Sequence, residues 1–160
     1  MKNKVHIAID AGATTGIAIW DGSYLKLDSG RFWDIVYWIE KYIYDDLKPK
    51  QVDFIIYIEN PNLNKITFRR RGNIRIDDRK AQNVGMNKRD AQLWIEWCEC
   101  NNLPHQSVKP LRKKKDGINI WKGSDGKITH DELISITKYN KQTNQHERDA
   151  CLILMKFVKL

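Results

Sequence analysis

Short apolar runs separated by sharp turns open this chain, and longer stretches with helical spacing follow. Val5-His6-Ile7-Ala8-Ile9-Asp10 has the makeup of a buried strand ending in an acid. Gly12, Thr14, Thr15 and Gly16 then form a tight turn, and Ile17 to Trp20 is a second strand. Asp21-Gly22 is a two-residue hairpin signal, which makes Tyr24 to Asp28 a third strand, antiparallel to the second. From 32 to 47 the period changes. Phe32, Ile35, Val36, Ile39, Tyr42 and Ile43 recur at i, i+3, i+4 and i+7, the spacing of an amphipathic helix, and Pro49 helps end it. Phe54-Ile55-Ile56-Tyr57-Ile58-Glu59 is a second apolar strand that ends in an acid. The helix before it allows it to lie parallel to the first strand.

Residues 60–78 are polar, basic and irregular. A helix is expected from about Arg79 to Asn101, with Asp77 or Asp78 as its cap and Ala91, Trp94, Ile95 and Cys98 on its apolar face. Gln106 to Leu111 is a short strand, and 112–127 is a basic loop containing glycines. Thr129 with Glu132, and Asn144 with Glu147, have the three-residue spacing of capping boxes. They start a short helix to about Tyr139 and a last helix that runs to the C-terminus, with Ala150, Cys151, Ile153, Leu154, Phe157 and Val158 facing inward. The order βββαβαβαα predicts one α/β domain over 1–160, with helices packed on a central sheet.

Charge narrows the class. The 160 residues carry a formal net charge of +8. The cations cluster at Arg69, Arg70, Arg71, Arg75, Arg79 and Lys80, and again from Arg112 to Lys115. Clustered cations bind nucleic acid efficiently because each phosphate contact releases counterions. The three cysteines, Cys98, Cys100 and Cys151, lack C-x-x-C spacing, which argues against a disulfide framework. Cys98, Cys100 and His105 are close in sequence, but no second ligand pair at zinc spacing accompanies them. With no signal peptide and no long apolar run, the expected setting is soluble and cytoplasmic, without a membrane partner.

The candidate chemistry lies in four residues. Asp10 and Glu59 each end an apolar strand, where a carboxylate is costly unless paired or bound to a cation. If the two strands are neighbours, both acids emerge at one end of the sheet. In His146-Glu147-Arg148-Asp149, positions i and i+3 share a helix face, so His146 and Asp149 point the same way, while Glu147 serves as the capping residue. Three carboxylates and an imidazole form a donor set for a hard divalent cation such as Mg2+ or Mn2+.

The stretch Ile7-Ala8-Ile9-Asp10-Ala11-Gly12-Ala13-Thr14-Thr15-Gly16-Ile17-Ala18 resembles the opening D-x-G-x-x-x-x-G strand and turn of RuvC-like Holliday junction resolvases. Ile58-Glu59 is similar to that family's strand-end glutamate, and His146-Glu147-Arg148-Asp149-Ala150 to its C-terminal helix motif. Ala81-Gln82-Asn83-Val84-Gly85 with Asp90-Ala91 resembles the helix that follows its DNA-contacting loop. The resemblance spans nearly the whole chain in order. It implies an RNase H-like fold, with a mixed five-stranded sheet and helices on both faces.

The same resemblance implies a homodimeric, two-metal endonuclease for four-way junctions and other branched DNA. Asp10 would bridge the ions, Glu59 and Asp149 would each ligate one, and His146 would be a ligand or proton carrier. One departure is Asn62, which stands where the family often has a junction-wedging aromatic; Phe68 is the substitute candidate. Phe68, Arg69, Arg70, Arg71, Arg75, Arg79 and Lys80 are expected to contact DNA beside the site. Lys109 and Arg112 are expected near the scissile phosphate, with Lys113, Lys114 and Lys115 gripping the backbone farther out. The dimer contact is expected on the long helix near Trp94 and Trp97. Three rivals remain: an actin-like ATPase relative, suggested by the Gly/Thr turn; a non-catalytic nucleic-acid-binding domain; and a nuclease for RNA–DNA hybrids.

Overall fold

The structure is a computed structural model that describes residues 4–64 and 74–160, with the side chains of 74–78 and 80 outside that description. Its elements are β1 (Val5–Asp10), β2 (Thr15–Trp20), β3 (Leu25–Gly30), α1 (Phe32–Lys41), β4 (Phe54–Glu59), α2 (Ile74–Cys100), β5 (His105–Val108), β6 (Lys114–Lys115), β7 (Ile118–Asn119), α3 (His130–Thr137) and α4 (Gln145–Leu154). Five strands form one mixed sheet in the order β3-β2-β1-β4-β5. β1 and β2 are antiparallel, as are β2 and β3, whereas β4 runs parallel to both β1 and β5.

Helices cover both faces of the sheet, so its central strands are apolar on both sides rather than alternating. Ile7, Ile9, Ile17, Ile56 and Ile58 pack with Ile35 and Ile39 of α1 and with Ala91, Trp94 and Cys98 of α2. On the opposite face Ala8, Ala18 and Tyr57 pack with Leu133 of α3 and with Ala150, Cys151, Ile153 and Leu154 of α4. β3 lies at an edge and alternates as an edge strand should, with Leu25 and Leu27 buried and Lys26 and Asp28 exposed. Among the described residues, no helix is long and apolar enough to cross a membrane.

Several boundaries differ from those expected. The turn after β2 spans four residues rather than two. Asp21 closes it by accepting from the backbone N–H groups of Ser23 (2.9 Å) and Tyr24 (2.8 Å), while Gly22 takes a φ of 97°. The helix expected over 32–47 is α-helical only to Lys41 and then widens into a π-turn over Tyr42–Leu47. Ile39, Ile43 and Leu47 recur every four residues, and all three are buried on the core. α2 begins at Ile74, five residues before the expected Arg79, which puts Asp77 and Asp78 inside the helix rather than at its cap. Residues 81–87 are exposed, so the early part of α2 offers no apolar stripe to read. β5 covers His105–Val108 and stops short of Pro110, which has no N–H to extend the ladder. α4 ends at Leu154, and the chain then turns so that Phe157 stacks on Tyr57 with ring centroids 3.8 Å apart.

Both capping boxes form as expected, at Thr129/Glu132 and Asn144/Glu147. Trp94 and Trp97 do not offer a surface to a second copy. Trp94 is fully buried and donates from Nε1 to Thr15 Oγ1 (3.3 Å), and Trp97 is buried with its Nε1 donating to Glu40 Oε1 (3.1 Å). Both indoles belong to the core of a single chain, where truncating such a ring to alanine typically costs about 3–5 kcal/mol.

Candidate active site

The site follows from strand alternation. Side chains two apart share a sheet face, so Asp10 lies on the face of Ala8, and Glu59 on the face of Tyr57. That is the face α4 covers. β1 and β4 are parallel neighbours whose last paired rung is Ile9 with Ile58, so the next residues, Asp10 and Glu59, leave the sheet side by side. α4 brings the remaining two groups. Its first turn crosses β2 at Gly16, where any Cβ would run into the His146 backbone carbonyl; the glycine permits this approach. The Asn144 side chain accepts from the Glu147 N–H (3.1 Å) and donates to Ser29 Oγ (2.6 Å), tying the helix start to β3. Arg148 reaches backward to the carbonyls of Ile128 (3.0 Å) and Thr143 (2.6 Å). With Glu147 and Arg148 occupied in this way, His146 and Asp149 face the sheet end.

Asp10, Glu59, His146 and Asp149 all line one cleft of about 530 Å³. Each of these four side chains has a protein partner. His146 Nδ1 lies 3.5 Å from Asp10 Oδ2. Glu59 Oε1 accepts from the Leu111 N–H at 2.8 Å, and Asp149 Oδ1 accepts from Gln145 Nε2 at 2.7 Å. Burial, reinforced by the charges of Asp10 and Asp149, pushes the Glu59 carboxyl up to about 7, against the opposing pull of the Leu111 N–H and Lys156. Burial and the charge of Asp10 also raise Asp149, with Gln145, Lys127 and Lys113 opposing. The hydrogen bond to Asp10 raises the His146 imidazole above its ordinary value, helped by the charges of Asp10 and Asp149. Carboxylates that perturb one another in this way share one electrostatic environment, as acids at functional sites often do.

The opposite wall comes from the segment expected to be a plain basic loop. It contains the small β6–β7 hairpin and a 3-10 turn at Ser124–Gly126. Arg112, Lys113, Trp121 and Lys127 line the cleft from this side. Lys114 is exposed on the hairpin. Lys109 is exposed too, and its carbonyl accepts from Lys156 Nζ (3.1 Å). Lys127 and Lys156 were not among the candidates read from the sequence. Lys127 is set by a loop fold that no periodicity encodes. Lys156 follows the end of α4, where the chain has left the helix, so helical spacing does not point to it.

Arg79 is exposed on α2. Phe68, Arg69, Arg70 and Arg71 lie outside the described residues, as do the side chains of Arg75 and Lys80. Asn62 is exposed after β4 and donates to the Lys88 carbonyl at 3.4 Å. Cys98 is buried and Cys100 exposed, and His105 Nδ1 pairs with the Leu103 carbonyl (2.9 Å).

By donor chemistry, three carboxylates and an imidazole suit a hard divalent cation. By placement, no three His, Cys, Asp or Glu side chains among the described residues are arranged to hold one ion. Asp10, Glu59 and Asp149 each turn one oxygen toward a protein partner. No family model, curated protein or solved structure matches the chain, so its relationships rest on the residues and geometry described above.

Proposed function

We propose that this protein is a divalent-metal-dependent endonuclease of RNase H-like fold that cuts branched DNA, as RuvC-like resolvases do. The observation that carries the reading is the meeting of Asp10, Glu59 and Asp149, from three distant segments, in one cleft walled by Arg112, Lys113 and Lys127. The strand order β3-β2-β1-β4-β5, with β2 running against the other four strands, supports the fold assignment. A cleft acidic at its floor and basic at its wall suits a phosphodiester approached from the cationic side.

Asp10, Glu59 and Asp149, with His146, are the residues that would hold Mg2+ or Mn2+, two ions per site. A divalent cation there supplies Lewis-acid activation of water and neutralises charge at phosphorus. Water adds to the phosphorus and the P–O3′ bond breaks, which leaves a 5′-phosphate and a 3′-hydroxyl. Where His146 is not itself a ligand, Asp10 orients it and favours its protonated form, so the imidazolium can pass a proton toward the leaving oxygen. Lys113 and Lys127 hold the backbone against the cleft. Resolution of a four-way junction needs paired nicks, which a two-fold homodimer provides.

The basic wall of Arg112, Lys113 and Lys127 also suits a second reading, a non-catalytic domain that binds structured nucleic acid. One gel separates the two. Four-way junction, flap, linear duplex and RNA–DNA hybrid are incubated with Mg2+, Mn2+ or EDTA. The nuclease reading expects metal-dependent nicks in the branched DNA, lost in Asp10→Asn, Glu59→Gln and Asp149→Asn. Binding without nicks under every metal would establish the second reading, and wild-type nicking by all three variants would remove these acids from the chemistry.

A further inference from the structure

Ile118 and Ile120 stand apart from most isoleucines of this chain. Ile7, Ile9, Ile17, Ile39, Ile43, Ile56, Ile58, Ile128 and Ile153 are almost fully buried, whereas Ile118 is 73% exposed and Ile120 43%. They lie on and beside the tip of the β6–β7 hairpin, whose two-residue turn, Asp116-Gly117, takes positive φ at both positions (52° and 80°).

The register decides what accompanies them. Lys115 pairs with Ile118 and Lys114 with Asn119, and the Ile120 N–H donates to the Lys113 carbonyl at 3.0 Å. Directly opposed residues share a face, so one face of the hairpin carries two rungs, Lys113 with Ile120 and Lys115 with Ile118. The inner rung begins at Lys113, which lines the cleft. The outer rung continues away from it.

The base of the hairpin is fastened. The Lys122 N–H donates to both oxygens of Glu132 (3.0 and 3.3 Å), which also closes the capping box of α3. The Gly123 N–H donates to the Lys127 carbonyl at 3.0 Å. Gly126, at φ 73°, sits where a Cβ would run into the Lys113 carbonyl. The apolar tip is thus held out from a braced stem.

We propose that this two-rung face docks on the DNA arm leaving the cleft, its lysines on phosphates and its isoleucines against bases at an opened step. Charge complementarity selects the partner. Arg112, Lys113, Lys114, Lys115, Lys122 and Lys127 outweigh Asp116 and Asp125 in this segment, and apolar side chains on cationic elements enter the stack where a duplex is already weakened. The inference rests on the branched-DNA reading and adds a contact beyond the acidic site.

The test uses the full chain in EDTA and a four-way junction carrying 2-aminopurine at the crossover, with anisotropy reporting binding. Wild-type protein should raise the probe's fluorescence severalfold as the step unstacks. Ile118→Ser with Ile120→Ser should abolish that rise, and Ile118→Leu with Ile120→Leu should restore it. Lys115→Ala should flatten the salt dependence of affinity by about one phosphate contact. Both isoleucines are solvent-facing, so these changes leave the core intact. Wild-type protein that nicks junctions in Mg2+ but gives no fluorescence rise, or a Ser pair that keeps the rise, overturns the docking face and leaves the nuclease reading standing. A Ser pair that instead turns a dimer into a monomer in sedimentation identifies the occupant as a second copy and also overturns it. Wild-type protein that neither binds nor nicks branched DNA removes both.

Discussion

Replacing Glu59 with Gln should stabilise the metal-free protein at pH 8 and much less at pH 5. The Glu59 carboxyl moves from an ordinary value of 4.5 to about 7 on folding. Between those limits the folded chain binds a proton that the unfolded chain has released, so stability falls as pH rises through the window. At about 1.36 kcal/mol per tenfold change in affinity, the fold above pH 7 carries a burden of about 3 kcal/mol from this group. Gln removes the charge while its amide oxygen can still accept from the Leu111 N–H. For a chain of this length about 3 kcal/mol corresponds to roughly 6–12 °C in melting temperature. The assay is urea and thermal unfolding of both proteins in EDTA at pH 5, 6, 7 and 8. The curves should lie within about 1 kcal/mol of each other at pH 5 and separate further up to pH 8, with the variant higher. Parallel curves across the range would refute the argument that burial beside Asp10 and Asp149 is what perturbs this carboxyl.

Asp10→Asn should abolish metal-dependent nicking, preserve or tighten junction binding, and return the His146 imidazole toward its ordinary range, since its largest raising influence is the hydrogen bond to Asp10; NMR titration and gel shift read these out. Gly16→Ala should cost on the order of 1–3 kcal/mol by forcing α4 off β2, and nicking should fall further than stability alone accounts for, as denaturant melts and cleavage rates at low temperature would show. Thr15→Val should cost about 1–3 kcal/mol because it strands the buried Trp94 indole N–H, visible as a lower urea midpoint with activity retained. Lys127→Ala should weaken binding to all branched substrates alike and reduce the salt slope by about one; an unchanged slope would take Lys127 off the backbone.

The parts legible in the sequence were those where one local pattern sufficed. Alternating or continuous apolar runs located β1, β2, β4 and their terminal acids, and the Asn144/Glu147 spacing located the start of α4 and hence the shared face of His146 and Asp149. Where packing from elsewhere decides the conformation, the sequence was silent or misleading. The π-turn after Lys41 has no glycine or proline within Tyr42–Leu47 to mark it. The early start of α2 has no buried stripe to announce it. The β6–β7 hairpin depends on Glu132, ten residues beyond Lys122. Trp94 and Trp97 looked like candidates for an outer surface only because a helical wheel cannot tell one apolar partner from another.

The tether between Asn144 and Ser29 has a consequence for how this chain can vary. Because the rotational phase of α4 is set at its own first residue, the solvent-facing stretch 140–142 just before it can lengthen or shorten without turning His146 and Asp149 away from Asp10 and Glu59. A single deletion inside the helix between Asn144 and Asp149 does the opposite, swinging the acid by about 100° around the axis. Length drift among related sequences should therefore accumulate immediately ahead of the tether and stop abruptly at it.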